Sequence, residues 1–220
     1  MTEEEHFLDN PDVDELYNKL PILINESDRG TILLGVSQID YELQILLDSI
    51  APKEMSNKEK KWISRANLSS KLNFAYTCRI IPKNLYDSIS ILRIIRNDIA
   101  HKVETFNLND YESQLKNITE ILGKNMNPFI EQISIHLLTT ASIEIIMSLK
   151  HPKDKNKPIF HNRQEAIKYL EKNKNLYNKI EEPKLRTKLS ISILIICALI
   201  IYHRKKSLQI LSENKVISSL

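Results

Sequence analysis

Glycine is almost missing from this sequence, with only three residues in 220. A β-sandwich or barrel uses glycine at its tight turns, so this scarcity argues against those folds and favours long helices. Leucine, isoleucine, lysine, asparagine and glutamate make up much of the remainder, and a chain of this length can bury a core without disulfides or metals. The sequence therefore predicts an all-α fold, a helical bundle.

The sequence also has few cysteines and a small net charge. The two cysteines, Cys78 and Cys197, both lie among apolar residues, where a free thiol behaves as a small hydrophobic side chain. No residues have the spacing of a metal site and no glycine-rich phosphate loop is present, so we expect neither metal nor cofactor. The formal net charge is only +3, so any contact with RNA must come from a local basic patch.

The longest apolar run, residues 189–202, is interrupted by two serines. A membrane span needs about 18 to 20 apolar residues, so the run favours a buried core helix. The first ten residues are acidic and lack an apolar signal core, so we do not expect export. A cytoplasmic location follows, with a helper protein held on a membrane by residues 189–202 as the weakest alternative.

Apolar periodicity, caps and prolines divide the chain into helices. Residues 1–25 are expected to form an N-terminal arm with a short helix broken or kinked at Pro21, and residues 26–220 a single helical domain. Within that domain we expect a core at 26–122, C-terminal helices at 128–220, and a flexible basic linker from Lys150 to Pro158. The second predicted helix begins at an N-cap of Ser27 or Asp28 and ends at residue 50. The other predicted helices span residues 13–24, 57–66, 68–80, 82–101, 108–122, 128–149, 162–177 and 183–206.

The helix that ends at His101 carries the most informative pattern. A guanidinium stands where its apolar stripe calls for an aliphatic side chain, since the i, i+4, i+7 positions are Leu85, Ile89, Leu92, Arg96 and Ile99. Burying an unpaired charge costs on the order of several kcal/mol. Arg96 must therefore either find a carboxylate partner or line a wet cleft.

His101 follows Arg96 by five residues. Asn97 and His101 are four apart and share a helical face, whereas Arg96 and His101 differ by about 140° around an ideal helix. The two can converge if His101 lies just past the helix end, or if a second copy of the helix packs alongside. The spacing does not choose between these arrangements.

The segment from Leu92 to His101 resembles the signature of the HEPN superfamily, in which four to six residues lie between an arginine and a histidine and a polar residue, often asparagine, directly follows the arginine. A wider pattern, made of residues 26–30, 67–72 with 75–76, and 96–101, resembles the mannitol operon repressor family in order and spacing. The clear part of this resemblance covers about Glu26 to Asp110.

The resemblance implies a HEPN-like four-helix core at residues 26–122 and association as a homodimer. In HEPN ribonucleases, the arginine and histidine of two subunits meet in a groove and cleave single-stranded RNA without a metal. Carried over, His101 is the acid or base, Arg96 holds the phosphate and Asn97 orients the pair, with Asp98 and Arg93 assisting. The implied role is a toxin or antiviral defence effector, with a possible antitoxin or regulatory protein as partner.

Two alternatives stay open. In the structural one, Arg96 is buried against a carboxylate of an earlier helix, with Asp28, Asp40 and Glu42 as candidates, and His101 caps a helix C-terminus. In the functional one, the chain is a non-catalytic transcriptional regulator of the mannitol repressor type. Because the sequence has no helix-turn-helix with a basic recognition helix, such a regulator would act through protein contacts.

Overall fold

The computed structural model describes residues 11–101, 106–151, 154–173 and 183–218. Nine α-helices and one two-stranded hairpin lie in these ranges, which confirms the all-α class. A 3₁₀ turn, Leu108–Tyr111, precedes the sixth helix. The elements are α1 (Pro11–Asn25), α2 (Asp28–Ile50), α3 (Asn57–Arg65), α4 (Leu68–Thr77), α5 (Lys83–His101), α6 (Glu112–Leu122), α7 (Met126–Ser148), β1 (Lys150–His151), β2 (Asp154–Pro158), α8 (Arg163–Lys172) and α9 (Lys184–Ser218).

Polar side chains just before the helices explain where several of them begin. Ser27 Oγ accepts a hydrogen bond from the Gly30 N–H, and Asn67 Oδ1 accepts one from the Ser70 N–H, at 3.0 and 2.9 Å. Ser56 forms a capping box at the start of α3. Each cap satisfies an N–H group that has no partner within its helix.

Helices α2 and α9 pack against each other in the core of the molecule. Gly35 of α2 lies so close to α9 that a Cβ atom there would be 2.3 Å from Ile193 Cδ1. The apolar run of α9 is buried, as the sequence predicted, with Leu189, Ile193, Ile196, Cys197, Ile200 and Ile201 all at most 2% exposed. A helix expected outside the core of residues 26–122 thus completes that core.

The segment expected as an N-terminal arm is, over residues 11–25, a helix packed on the core. Leu16, Leu20 and Leu23 are buried, and α1 runs without a break through Pro21. Beside it, the Glu42 carboxylate accepts a hydrogen bond from Gln38 Nε2 at 2.7 Å. Burial raises the pKa of Glu42, since the charged form loses water there, and the Gln38 hydrogen bond opposes this rise.

The predicted flexible linker is instead largely a hairpin, in which Lys150 pairs with Pro158 and His151 with Asp154. Residues 152 and 153 lie outside the described part of the chain. The hairpin leads into α8, which packs on α7 through a small separate cluster of Ile143, Ile146, Ala166 and Leu170.

Two helices in the described ranges are long and apolar enough to cross a membrane by length and composition, residues 126–148 and 184–213. In the second, 56% of the most apolar window is buried inside the protein, against 22% in the first. The burial of the second is what a core helix of a globular fold requires.

Candidate functional site

The buried side of α5 passes through Ile95, and Arg96 is exposed. In the C-terminal half of the helix, Leu92, Ile95 and Ile99 are at most 1% exposed. The prediction that Arg96 faces the core is therefore wrong, since Ile95 takes the buried position instead. Arg96 lies beside a cleft, where its guanidinium is exposed to solvent. Of the two outcomes expected for this charge, the structure has the wet cleft.

The carboxylates considered as buried partners of Arg96 contact other residues. Among the described residues, Arg96 Nη1 donates a hydrogen bond to Asn97 Oδ1 at 3.3 Å and has no carboxylate within ion-pair distance. Asp28 contacts Arg186 at 3.3 Å, Asp40 contacts Lys71 at 3.0 Å, and Glu42 accepts from Gln38. None of these three carboxylates therefore forms a dry ion pair with Arg96.

The cleft has a volume of about 440 Å³ and lies between α2, the start of α4 and the second half of α5. Its residues come from three separate stretches of chain: Val36, Ser37 and Asp40; Asn67, Leu68 and Ser69; Arg93, Arg96 and Asn97. We call it the arginine cleft.

The charge of the arginine cleft is positive. Arg93 and Arg96 lie on its α5 wall, and the Nε of Arg93 is buried without a hydrogen-bond partner among the described residues. Asp40 contributes the opposite charge, but its carboxylate is already paired with the ammonium of Lys71, a residue only 1% exposed. The N-terminus of α4 adds the positive end of the helix dipole.

Two of the predicted site residues lie elsewhere. Asp98 accepts a hydrogen bond from the Tyr111 hydroxyl, and Asp28 pairs with Arg186 near the start of α2. Neither lines the arginine cleft. Near Asp98, the last turn of α5 is also held by Arg29, which donates a hydrogen bond to the Ile99 carbonyl at 2.7 Å.

His101 is the last residue of α5, and its side chain lies outside the described residues. The structure therefore brings together four of the seven predicted site residues, places two apart and leaves the side chain of His101 undescribed. The four in the cleft are Arg93, Arg96, Asn97 and Asp40.

Sequence reasoning missed Lys71 and the start of α4. Lys71 lies three residues after Leu68 and four before Ala75, on the apolar face of its helix, where a charge signals a buried pair. Asn67 and Ser69 gave no such signal, because a capping residue and a first-turn serine occur at many helix starts.

An arrangement of two guanidiniums and a helix N-terminus can bind a phosphate or another oxyanion. Across the described ranges no three His, Cys, Asp or Glu side chains cluster as metal ligands. Comparisons with protein-family models, with curated proteins and with solved structures find no match to this chain.

Proposed function

We propose that this protein is a metal-independent endoribonuclease that cleaves single-stranded RNA at the arginine cleft, as a toxin or defence effector in the cytoplasm. The observation that supports this best is the open, positively charged surface around Arg96, where Asp40 is paired with Lys71 and no described carboxylate lies within ion-pair distance of Arg96. The Arg96-Asn97-x-x-x-His101 pattern, which resembles that of HEPN ribonucleases, supports it from the sequence.

Arg96 has the chemistry of a phosphate ligand. A guanidinium offers several N–H donors in a planar fork that matches two phosphate oxygens. Arg96 spends one donor on Asn97, which limits the side chain's freedom, and Arg93 adds a second charge to the same wall. Together they would stabilise the negative charge that grows on the phosphate during cleavage.

His101 is assigned the proton transfers. A histidine with an ordinary pKa near 6.5 can accept the proton of a ribose 2′-hydroxyl. The 2′-oxygen then bonds to phosphorus, the bond from phosphorus to the 5′-oxygen breaks, and the leaving oxygen takes a proton from an imidazolium. The products are a 2′,3′-cyclic phosphate and a 5′-hydroxyl.

The active unit is proposed to be a homodimer. Arg96 and His101 are five positions apart, and His101 is still within α5, so the two side chains differ by about 140° around the helix. A second copy of α5 alongside the first would bring both groups to one phosphate. An antitoxin partner would act by covering this shared groove.

The direct test is cleavage of a 5′-labelled single-stranded RNA by the purified chain in excess EDTA. We expect cleavage by the wild type, a loss of at least about 100-fold with Arg96→Gln or His101→Asn, and no loss with the matched control Arg163→Gln. Arg163 is an exposed arginine at the start of α8. Equal activity of Arg96→Gln and Arg163→Gln would remove the proposal.

A second candidate is the regulator that acts through protein contacts. It is favoured by an apolar cavity of about 620 Å³ whose lining includes Trp62, Phe74, Ile210 and Leu211, all more than 40% exposed. Exposed apolar surface of this kind is typical of protein interfaces. In a deletion strain this candidate predicts that Arg96→Gln restores transcript levels and Phe74→Ser does not, and the opposite pattern rejects it.

A further inference from the structure

A row of polar side chains follows the hairpin of α4 and α5 away from the arginine cleft. Steps of four, three and four residues place Tyr86, Ser90, Arg93 and Asn97 on one face of α5. Because Arg93 and Asn97 line the cleft, this face leads directly from the cleft towards the start of the helix. The distance along the axis from Asn97 to Tyr86 is about 16 Å at 1.5 Å per residue.

The neighbouring face of α4 has matching residues. Ser69, Asn73 and Tyr76 are separated by four and three residues, so they share one side of that helix. Ser69 lines the arginine cleft, and Asn73 Oδ1 accepts a hydrogen bond from the Tyr86 hydroxyl at 3.0 Å. The rings of Tyr76 and Tyr86 are in contact, 4.6 Å apart between centroids and tilted by 33°. The row of polar side chains therefore ends at an aromatic pair.

A second basic cavity, about 450 Å³ in volume, lies at that end, between the hairpin turn and α9. Its cations come from three elements, with Arg79 from the turn, Lys83 from the start of α5 and Lys206 from α9, and Tyr76 forms part of its wall. Lys83 also contacts Asp87, which offsets part of the charge. We call this the turn cavity.

His203 completes the wall of the turn cavity as a neutral group. Burial, and then the positive charge of Lys206, lower the pKa of its imidazole. The ring is therefore uncharged at neutral pH and can serve as a hydrogen-bonding group beside the three cations.

The backbone at Arg79 is strained. Its φ is 59°, in the left-handed region that glycine usually fills after a helix, and it is the only non-glycine residue with positive φ in the described ranges. The Ile80 N–H bonds to the Ala75 carbonyl at 2.9 Å, which closes the turn and fixes this conformation. An arginine that holds a glycine position disfavours folding locally, and such strain concentrates at functional sites.

We propose that the turn cavity binds a second phosphate of the RNA strand held in the arginine cleft, with one base stacked on Tyr76. This inference rests on the proposed function. Two groups of cations joined by a row of polar side chains, with an exposed aromatic ring beside the second group, are features by which proteins bind single-stranded nucleic acid, at sites of about four nucleotides or more. The strand runs along the α4–α5 hairpin, so short RNAs reach only one end.

The test is the binding of fluorescein-labelled oligouridylates of 2 and 12 nucleotides, measured by anisotropy in EDTA in a His101→Asn background that prevents cleavage. We expect the double substitution Lys83→Gln/Lys206→Gln to raise the Kd for the 12-mer about 10-fold and to reduce its dependence on salt by about one unit of slope. The dinucleotide should change less, because it is too short to reach from the arginine cleft to the turn cavity. The matched control is Lys168→Gln/Lys172→Gln on α8, both exposed.

Arg79→Gly separates binding from folding. Because glycine relieves the left-handed strain, this variant should melt about 2–4 °C higher than the parent. Melting is measured by the fluorescence of Trp62, the single tryptophan. It should nevertheless bind the 12-mer several-fold more weakly. A variant that melts higher and binds as tightly as the parent would overturn the assignment of Arg79.

The outcomes distinguish the two proposals. Equal affinities of the turn-cavity and α8 variants for the 12-mer overturn this inference even if the wild type cleaves RNA. Weaker binding in the turn-cavity variant, together with a wild type that never cleaves, supports this inference and removes the nuclease. Competition by poly-L-glutamate as effective as that by RNA would mark the cavity as a surface for acidic peptides and overturn the RNA assignment.

Discussion

The ion pair between Lys71 and Asp40 should respond very differently to removal of its two members. The Lys71 side chain is 2% exposed, and its ammonium contacts Asp40 Oδ1 at 3.0 Å and Gln44 Oε1 at 3.4 Å. The Asp40 side chain is 37% exposed and faces the arginine cleft. In Asp40→Asn the buried ammonium loses its counter-charge, whereas in Lys71→Met a hydrated carboxylate remains next to an apolar side chain.

The structure sets the magnitudes. Loss of one partner of a buried pair destabilises by about 3–5 kcal/mol, and because Asp40 is partly hydrated we take the low end, about 3 kcal/mol, for Asp40→Asn. For a chain of this size that corresponds to a melting temperature lower by about 6–12 °C. Lys71→Met should lose about 1 kcal/mol or less, since methionine of similar length packs in the same place.

The assay is urea unfolding followed by Trp62 fluorescence, for both single variants and the double variant. Asp40→Asn combined with Lys71→Met should recover most of the stability that Asp40→Asn alone loses, because no buried charge is left. Lys71→Met should also weaken RNA binding, because Asp40 then neutralises part of the cleft. A loss in Lys71→Met as large as that in Asp40→Asn would show that the burial argument is mistaken.

Two further predictions concern the core. Gly35→Val should lower the free energy of unfolding by about 2–3 kcal/mol, because the added side chain overlaps Ile193. Adding Ile193→Ala to the same chain should restore part of this loss. An unchanged unfolding midpoint in Gly35→Val would contradict the close approach of α2 and α9. Glu42→Gln should raise the free energy of unfolding at pH 7, since burial raises the pKa of this carboxyl and the ionised form opposes folding. The contribution of Glu42 to stability is present below its usual pKa and is lost as pH rises through its raised pKa in the folded state. The stability advantage of the glutamine variant should therefore shrink as pH falls towards 4.5. Urea titrations in which that advantage grows at lower pH would refute this direction of the pH dependence.

The helices were predictable because local signals decide them. Ser27, Ser56 and Asn67 cap helices at the boundaries that apolar periodicity predicts, and the run 189–202 is apolar enough to require burial. The hairpin at β1 and β2 was not predictable from its charged composition, which is typical of linkers. The packing of α9 on α2 could not be predicted from local sequence either, because it depends on Gly35 and Ile193, which are far apart in sequence.

The candidate site was only partly predictable for a related reason. An aliphatic stripe on α5 can follow Leu92 through Arg96 or through Ile95, and both steps fit 3.6 residues per turn. Desolvation favours the isoleucine as the buried side chain, but whether a cleft opens beside the arginine depends on α2 and on the start of α4. The strain at Arg79 likewise follows from turn hydrogen bonds that the sequence does not display.

The most direct measurement of the central claim is the chemical nature of the RNA ends that the protein leaves. Mass spectrometry of a single-stranded RNA incubated with the wild type in EDTA should find 2′,3′-cyclic phosphate and 5′-hydroxyl ends, and Arg96→Gln should leave the RNA intact. Intact RNA with the wild type, or the same ends in equal yield with Arg96→Gln, would contradict the account.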